Sequence, residues 1–146
     1  MALQGYKPEQ VINGTWGEIW INGEYVAEVK AFQAKVTLEK SEVSMVRRMA
    51  KGQKVVGYEG KGTIRLNKVT SRFLKLLNDN MKKGKQTVCT IISKLADPDA
   101  LGAERIVIKD ATFDELTLAD WEVRKNLEEE IPFTFSDWDL LDTINV

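Results

Sequence analysis

The sequence has no histidine, one cysteine and three prolines, and these scarcities exclude several classes of function. Without histidine the chain lacks a Ser-His or Cys-His nucleophile pair, an imidazole metal ligand and the commonest general base near neutral pH. A single cysteine, Cys89, excludes an internal disulfide and a zinc site built from several cysteines. Because Cys89 lies in the apolar run 88–92, we expect it to be a packed core thiol.

The chain also lacks an excess of either charge and any long apolar run. Its 146 residues include 21 Lys plus Arg and 22 Asp plus Glu, so no global field draws it to nucleic acid or to an anionic membrane. No apolar run approaches the length of a membrane span, and no signal segment opens the sequence, which predicts a protein made in the cytoplasm without a membrane anchor. The length predicts one domain over 1–146, whose first 13 residues form a polar N-terminal arm.

The first structured segment predicted is a β-hairpin around Asn22-Gly23. Asn-Gly between alternating segments is typical of a type I′ turn, since both central residues take positive φ. Such a turn places Trp16, Trp20, Tyr25 and Val29 on one face and Ile19, Ile21 and Val26 on the other. Both faces are therefore rich in apolar groups. We expect one to be buried by a neighbouring subunit, the alternative being cover by the arm at 1–13.

The remaining pattern predicts an all-β sandwich or barrel with one helix. A half-buried strand is predicted at 31–40, with Phe32, Ala34, Val36 and Leu38 inward and Gln33, Lys35, Thr37 and Glu39 outward. A helix is predicted at 71–83, because Phe73, Leu76, Leu77 and Met81 recur at helical spacing and Gly84 suits its end. Further strands are predicted at 63–67, 87–95, 105–112, 116–123 and 127–135. Pro132 predicts an edge or a bulge in the last of these.

The segment 42–58 is predicted to be a long loop that forms the principal contact between subunits. Methionine and arginine alternate at its start, and both are enriched at protein interfaces. One alternative is a nucleic-acid-binding patch, but the stretch has no aromatic side chain for base stacking before Tyr58. The second alternative is a solvated loop that has no partner. With the apolar hairpin face, the predicted interface residues are Met45, Val46, Arg47, Arg48, Met49, Lys51, Lys54, Trp16, Trp20 and Tyr25.

Other motifs point to no chemistry. The glycines between Gly52 and Gly62 are not followed by Gly-Lys-Ser/Thr, so they indicate a turn or a close backbone approach rather than a phosphate loop. The carboxylates at 128–130 and at Asp137, Asp139 and Asp142 read as solvated faces rather than a paired glycosidase site. Asp97-Pro98-Asp99 lacks the spacing of a calcium loop and predicts a turn. We predict no enzyme activity, no metal and no cofactor.

Order and spacing along the chain resemble XkdM-like tail tube proteins of PBSX-type phage-like elements and related contractile phage tails. The resemblance is carried by the Met- and Arg-rich stretch 41–49, the glycines at 52, 57, 60 and 62, the strand-like 63–67 and the helix start 68–73. The hairpin at 20–24 and the ending 128–135 complete it. No single piece is a catalytic signature.

The resemblance implies a structural subunit of an inner tail tube, made in a bacterial host and incorporated in a virion or tail-like particle. In such assemblies strands from six subunits join into a β-barrel around a lumen, and rings stack through loops and termini. The implied partners are the chain itself, a tail sheath, baseplate and tail terminator proteins, and phage DNA that passes without specific binding. In a tail-like bacteriocin the tube instead perforates an envelope. The alternative is a monomeric sandwich that binds carbohydrate or peptide through Trp16, Trp20, Tyr25 and Trp138.

Overall fold

The computed structural model describes residues 3–145, so Met1, Ala2 and Val146 of the predicted domain lie outside the described residues. After short 3₁₀ turns at Pro8–Gln10 and Gly14–Trp16, the chain forms eight strands and one helix in the described range. These are β1 Gly17–Ile21, β2 Glu24–Tyr25, β3 Val29–Val43, β4 Gly52–Asn67, α1 Arg72–Lys82, β5 Val88–Leu95, β6 Glu104–Phe113, β7 Glu128–Phe135 and β8 Asp137–Asp142. The prediction of a mainly β fold with one helix is confirmed.

All strands belong to one antiparallel sheet that folds over on itself. The order is β2-β1-β5-β6-β7-β4-β3, and β8 pairs with the part of β6 that β7 leaves free. β6 meets β7 only at Thr112 and Phe113, whereas its residues from Arg105 to Lys109 pair with β8. β7 and β8 therefore pair with β6 one after the other, with Ser136 between them.

The core lies between the folded halves of the sheet and is closed by α1. Side chains from both halves meet there, and Phe133 of β7 lies at its centre with no exposed surface. α1 contributes Phe73 and Leu77 as buried residues, and the Phe73 ring packs edge-on against Phe113 at 5.3 Å. The predicted helix is confirmed, including Gly84 at its end with a φ of 69°. The predicted core thiol is confirmed too, since Cys89 is buried.

The first hairpin forms as predicted, but it is shorter. Asn22 and Gly23 have φ values of 50° and 84°, and Trp20 pairs with Tyr25. The Asn22 side chain anchors the turn on β5, because its Oδ1 accepts a hydrogen bond from the Thr90 amide at 3.0 Å. The predicted pairing of Trp16 with Val29 is wrong, since Trp16 closes a 3₁₀ turn whose N-cap Asn13 accepts from Thr15 N.

The segment 42–58 is not a long loop. β3 and β4 form one antiparallel hairpin, whose ladder runs from the pair Val29–Leu66 to the pair Val43–Gly52. Within 42–58, only residues 44–51 lie outside the strands. Sequence reasoning missed the strand 52–62 because its glycines interrupt the apolar alternation. The same hairpin corrects the half-buried strand 31–40: beyond Phe32, both faces of β3 are exposed in the subunit.

Two of those glycines are required by packing. An added Cβ at Gly62 would lie 2.3 Å from the Phe133 ring and 2.4 Å from the Gln33 carbonyl oxygen. An added Cβ at Gly60 would lie 2.5 Å from the ring of Phe135. The rings of β7 thus lie across the glycines of β4, which agrees with the predicted close approach.

Two elements of the sheet were misjudged from sequence. The predicted strand at 116–123 is wrong, because the segment has no regular secondary structure. Leu116 and Leu118 are at even-numbered positions and Trp121 and Val123 at odd-numbered ones. Because successive residues of a strand point to opposite faces, a strand here would expose apolar groups on both faces. The strand β8 was missed because its aspartates suggested a solvated run, although Asp137, Trp138, Asp139 and Leu140 alternate.

Candidate assembly surfaces

The β3–β4 hairpin extends beyond the body of the subunit. β7 pairs with β4 only from Gly60 to Asn67, so residues 52–59 have β3 as their only strand neighbour in the range 3–145. On its other side β3 has no paired strand among those residues, which leaves a long edge of unpaired N–H and C=O groups. We call residues 36–43 and 52–59, with the connection between them, the projecting hairpin.

The tip of this hairpin, residues 44–51, carries most of the predicted interface side chains. Val46 is 91% exposed and Met49 is fully exposed, whereas Met45 folds back within 3.6 Å of a Cβ built at Gly52. Arg47 takes a positive φ of 63°. Among residues 3–145, neither Arg47 nor its neighbour Arg48 has a carboxylate within 4.0 Å. The tip therefore presents apolar and cationic groups to solvent.

Of the other two basic residues of the predicted interface, Lys51 is the last residue of the tip and Lys54 lies beside it in β4. Lys51 forms an exposed ion pair with Glu42 at 3.4 Å, and Lys54 is opposite Ser41 in the ladder. The ion pair lies between two exposed side chains and contributes little to stability. These lysines therefore remain accessible to a partner.

The two faces of the hairpin differ in chemistry. The register places Phe32, Ala34, Val36 and Leu38 on the same face as Ile64 and Tyr58, with Phe133 and Phe135 of β7. The opposite face, which we call the polar face, has no large apolar side chain. Its members are Gln33, Lys35, Thr37 and Glu39 of β3, Glu59, Lys61, Thr63 and Arg65 of β4, and Glu128, Glu130, Pro132 and Thr134 of β7.

The apolar face opens onto a groove that sequence reasoning missed. The groove has a volume of ≈ 300 Å³ and lies between β3 and the strands β6 and β8, with Val36 on one wall and Ile106 and Leu140 on the other. Tyr58 packs edge-on against Trp138 at its end, with ring centroids 5.4 Å apart. The alternation of Trp138 and Leu140 was the signal that could have revealed it.

The carboxylates of Glu128 and Glu129, which could otherwise pair with arginines of a neighbour, are largely occupied within the subunit. Glu128 binds Lys30 at 2.6 Å and lies 3.8 Å from Arg65, and the hydrogen bond from Lys30 lowers the pKa of Glu128. Glu129 is buried at 6% exposure, and its carboxylate is paired with Lys68. Removing one partner of so buried a pair leaves a charge without compensation, so the pair serves the fold rather than an interface.

Trp16, Trp20 and Tyr25 lie apart from the tip. They lie at or beside β1 and β2, and β1 is close to the start of β3 at Val29, whereas the tip follows Val43 at the other end of this 15-residue strand. Trp20 and Tyr25 pack together with ring centroids 5.1 Å apart, and Trp16 and Tyr25 are each about half exposed. The structure therefore divides the predicted interface residues between two distant surfaces.

Ion pairs and side-chain hydrogen bonds hold the segments next to these surfaces in place. Arg72 of α1 donates from Nε to Glu28 Oε1 at 2.9 Å and from Nη1 to Glu24 at 3.3 Å. Burial raises the pKa of Glu28, but the hydrogen bond and charge of Arg72 outweigh it and lower the pKa overall. Asp97 accepts hydrogen bonds from the amides of Asp99 and Asn13 at 2.9 and 2.8 Å, so this predicted turn holds the end of the N-terminal arm.

The whole fold, including the projecting hairpin, matches a known family. A family model described as "Phage tail tube protein" matches residues 4–142. The chain belongs to the phage tail tube protein family. The resemblance predicted from the sequence is thereby confirmed.

Individual relatives agree with the family. The chain is 39% identical over 142 residues to the phage-like element PBSX protein XkdM of Bacillus subtilis (strain 168), covering 96% of this chain and 95% of that protein. Its fold is similar to a chain of the sheath–tube complex of an extracellular contractile injection system, with a TM-score of 0.71 at 11% identity over 95% of this chain and all of the other. A chain of the anti-feeding prophage cap gives a TM-score of 0.73 at 10% identity, covering 98% and 95%.

Family membership decides the class of function. A tail tube protein is a structural component of a phage tail or phage-like particle, not an enzyme, and the prediction of no catalytic activity is confirmed on that ground. Of the part of the chain that the structure describes, no helix is long and apolar enough to span a membrane.

Proposed function

We propose that the chain is the inner-tube subunit of a contractile phage tail or tail-like particle and assembles into stacked, six-membered rings. The projecting hairpin carries this proposal. It places eight residues of the edge strand β3 (36–43), an apolar face and an exposed tip outside the body, where an isolated subunit cannot cover them. Edge strands of this length invite pairing with another chain. In a ring, β3 of each subunit pairs with the next subunit, which also covers Val36 and Leu38.

The polar face suits the wall of a lumen. It combines three basic side chains, Lys35, Lys61 and Arg65, with four acidic ones, Glu39, Glu59, Glu128 and Glu130. Mixed charge with threonine and glutamine keeps the wall hydrated and gives DNA no continuous basic track to hold. DNA passes such a wall without specific binding, and a particle without DNA uses the same tube to perforate an envelope.

The partners follow from this role. The subunit is made in the cytoplasm of a bacterial host and assembles with further copies of itself. A tail sheath surrounds the tube, and baseplate and terminator proteins close its ends. The surface around Trp16, Trp20 and Tyr25, remote from the hairpin, is available for a sheath or for a neighbouring subunit. Residues 1–146 act as one domain, and its N-terminal arm becomes covered in the assembly.

The test is a double substitution at the tip, Met45→Asp with Met49→Asp. Both side chains are partly or fully exposed, so we expect far-UV circular dichroism and monomer stability to stay unchanged. Negative-stain electron microscopy of the wild type should show tubes, and the variant should show no tubes. Met81→Asp, a matched exposed methionine on α1, is the control and should still assemble. A wild type that stays monomeric at all concentrations and salts, also with sheath present, would falsify the proposal.

A further inference from the structure

The connection between β6 and β7, residues 114–127, leaves unusual side chains without cover. We call it the distal loop. Leu118, Trp121 and Val123 are 72%, 72% and 77% exposed, whereas Leu116, nearer the start of the loop, is partly buried against the core. Three large apolar groups on one irregular segment resemble an interaction site more than a solvated loop.

The distal loop lies at the opposite end of the long strands from the hairpin tip. The Leu127 carbonyl accepts a hydrogen bond from Lys68 N at 2.9 Å, just beyond the last residue of β4, whereas the tip adjoins the first. β4 has 16 residues, and at about 3.3 Å per residue its two ends are roughly 50 Å apart. The two apolar patches therefore occupy opposite poles of the subunit and cannot cover each other within it.

The two poles are complementary in charge. The tip, 44–51, has three basic side chains and no acidic one, whereas the distal loop has four acidic and two basic ones. In the loop, Asp114 is engaged by Thr134, and Glu122 forms an exposed pair with Lys125 at 3.1 Å. Asp120 has no ion-pair partner within 4.0 Å among residues 3–145. The tip thus carries a formal charge of +3 and the distal loop a formal charge of −2 (two basic and four acidic side chains), each beside exposed apolar groups.

We propose that the tip of one subunit docks on the distal loop of a second copy of this chain in the next ring. Val46 and Met49 pack against Leu118, Trp121 and Val123, and the arginines of the tip face Asp120 and Glu122. Two different patches at opposite poles make a head-to-tail contact, which repeats without closing and so builds an open-ended stack. This inference rests on the proposed tube and assigns the contact between its rings.

Reciprocal charge reversal tests the contact. We expect Arg47→Glu with Arg48→Glu to leave rings intact but to lower the sedimentable tube fraction at least tenfold. Adding Asp120→Arg and Glu122→Arg to the same chain should restore stacking, since the attraction is re-formed with its signs exchanged. The control, Arg47→Lys with Arg48→Lys, keeps the charge and should stack like the wild type.

The outcomes separate this inference from the proposed function. Wild-type protein that forms neither rings nor tubes overturns both. Wild-type tubes with normal stacking of the glutamate variant overturn the docking contact alone. Failure of the four-site variant to recover, although its circular dichroism is native, shows that the distal loop is not the partner of the tip.

Cross-linking gives a second measurement that does not depend on the charge variants. Met49→Cys and Trp121→Cys in one chain, treated with an added oxidant such as copper phenanthroline, should form disulfides between rings, and non-reducing denaturing gels should show a ladder longer than six subunits. The native Cys89 is buried and stays out of the reaction. Each single variant should give no ladder and no dimer. Dimers from Met49→Cys alone would indicate tip-to-tip contact and overturn the proposal.

Discussion

The body of the subunit and its projecting hairpin contain the same kinds of apolar residue, but the body buries them and the hairpin exposes them. In the body, apolar side chains of β4 and β7 such as Ile64, Ile131 and Phe133 are almost entirely buried. In the hairpin, Val36, Leu38 and Tyr58 continue the same apolar face of the same strands, yet they are 37–54% exposed. One continuous face is thus covered for half of its length by the subunit itself and left open for the other half.

This difference separates folding from assembly along a single pair of strands. β7 covers the apolar face only as far as Gly60 of β4, which pairs with Phe135 at the end of β7. Beyond Gly60, the apolar face needs a covering surface that the subunit does not contain. The body supplies the stability, because burial of its aromatic cluster does not depend on a neighbour. The hairpin contributes little to that stability and is free to be ordered by contacts in a ring. Substitutions in the two regions should therefore have separable effects on unfolding and on assembly.

The largest effect on stability is expected from Phe133→Ala. The Phe133 ring is fully buried, with centroids of Phe32 and Phe135 at 5.7 and 6.0 Å, and its loss leaves a cavity. We expect the free energy of unfolding to fall by about 3–5 kcal/mol, measured by urea denaturation.

The matched variant in the hairpin is Tyr58→Ala, which removes an aromatic ring of similar size. Tyr58 is half exposed and touches mainly Trp138, so its loss should cost about 1 kcal/mol. Equal losses for the two variants would show that the hairpin belongs to the same cooperative core as the body.

An effect smaller than that of Phe133→Ala, with a defined pH dependence, is expected at the Glu28–Arg72 pair of the body. The pKa of Glu28 is lowered in the folded subunit, so the unfolded chain binds its proton more readily. The pair therefore stabilises the fold above the ordinary value of 4.5, and this contribution is lost as pH falls through the lowered folded pKa. Glu28→Gln should cost about 1–2 kcal/mol at pH 7 and progressively less toward pH 3.

The hairpin offers the control for this titration. Glu42 pairs with Lys51 in full solvent exposure, and Glu42→Gln should change the free energy of unfolding by less than about 0.5 kcal/mol at any pH. Denaturation curves at several pH values compare the two variants directly. A constant loss for Glu28→Gln from pH 7 to pH 3 would contradict the assignment to Arg72.

The same division explains what could be predicted from the sequence. The Asn22-Gly23 turn, the helix stripe and the buried Cys89 were predictable because local chemistry or a clean period determines them. The strand 52–62 was not predictable, because Gly60 and Gly62 leave room for the aromatic rings of β7, which are distant in sequence. The exposed side chains of the tip were identifiable as apolar groups without a period. Their separation from Trp16, Trp20 and Tyr25 was not predictable, because β3 has 15 residues and is longer than the strand 31–40 that the alternation predicted.

The smallest effect on the isolated subunit is expected from Leu38→Thr. Leu38 is 52% exposed beside Tyr58 on the open half of the apolar face, and threonine suits a strand as well as leucine does. Unfolding of the monomer should change by less than about 0.5 kcal/mol. In a ring the same side chain is covered by a neighbour, so the critical concentration for assembly should rise severalfold, as measured by light scattering. Gln33→Thr on the polar face is the control and should alter neither quantity, because a lumen wall stays wet in the assembled tube. If Leu38→Thr destabilises the monomer as strongly as it impairs assembly, the apolar face is closed within the subunit and the hairpin does not project as an assembly element.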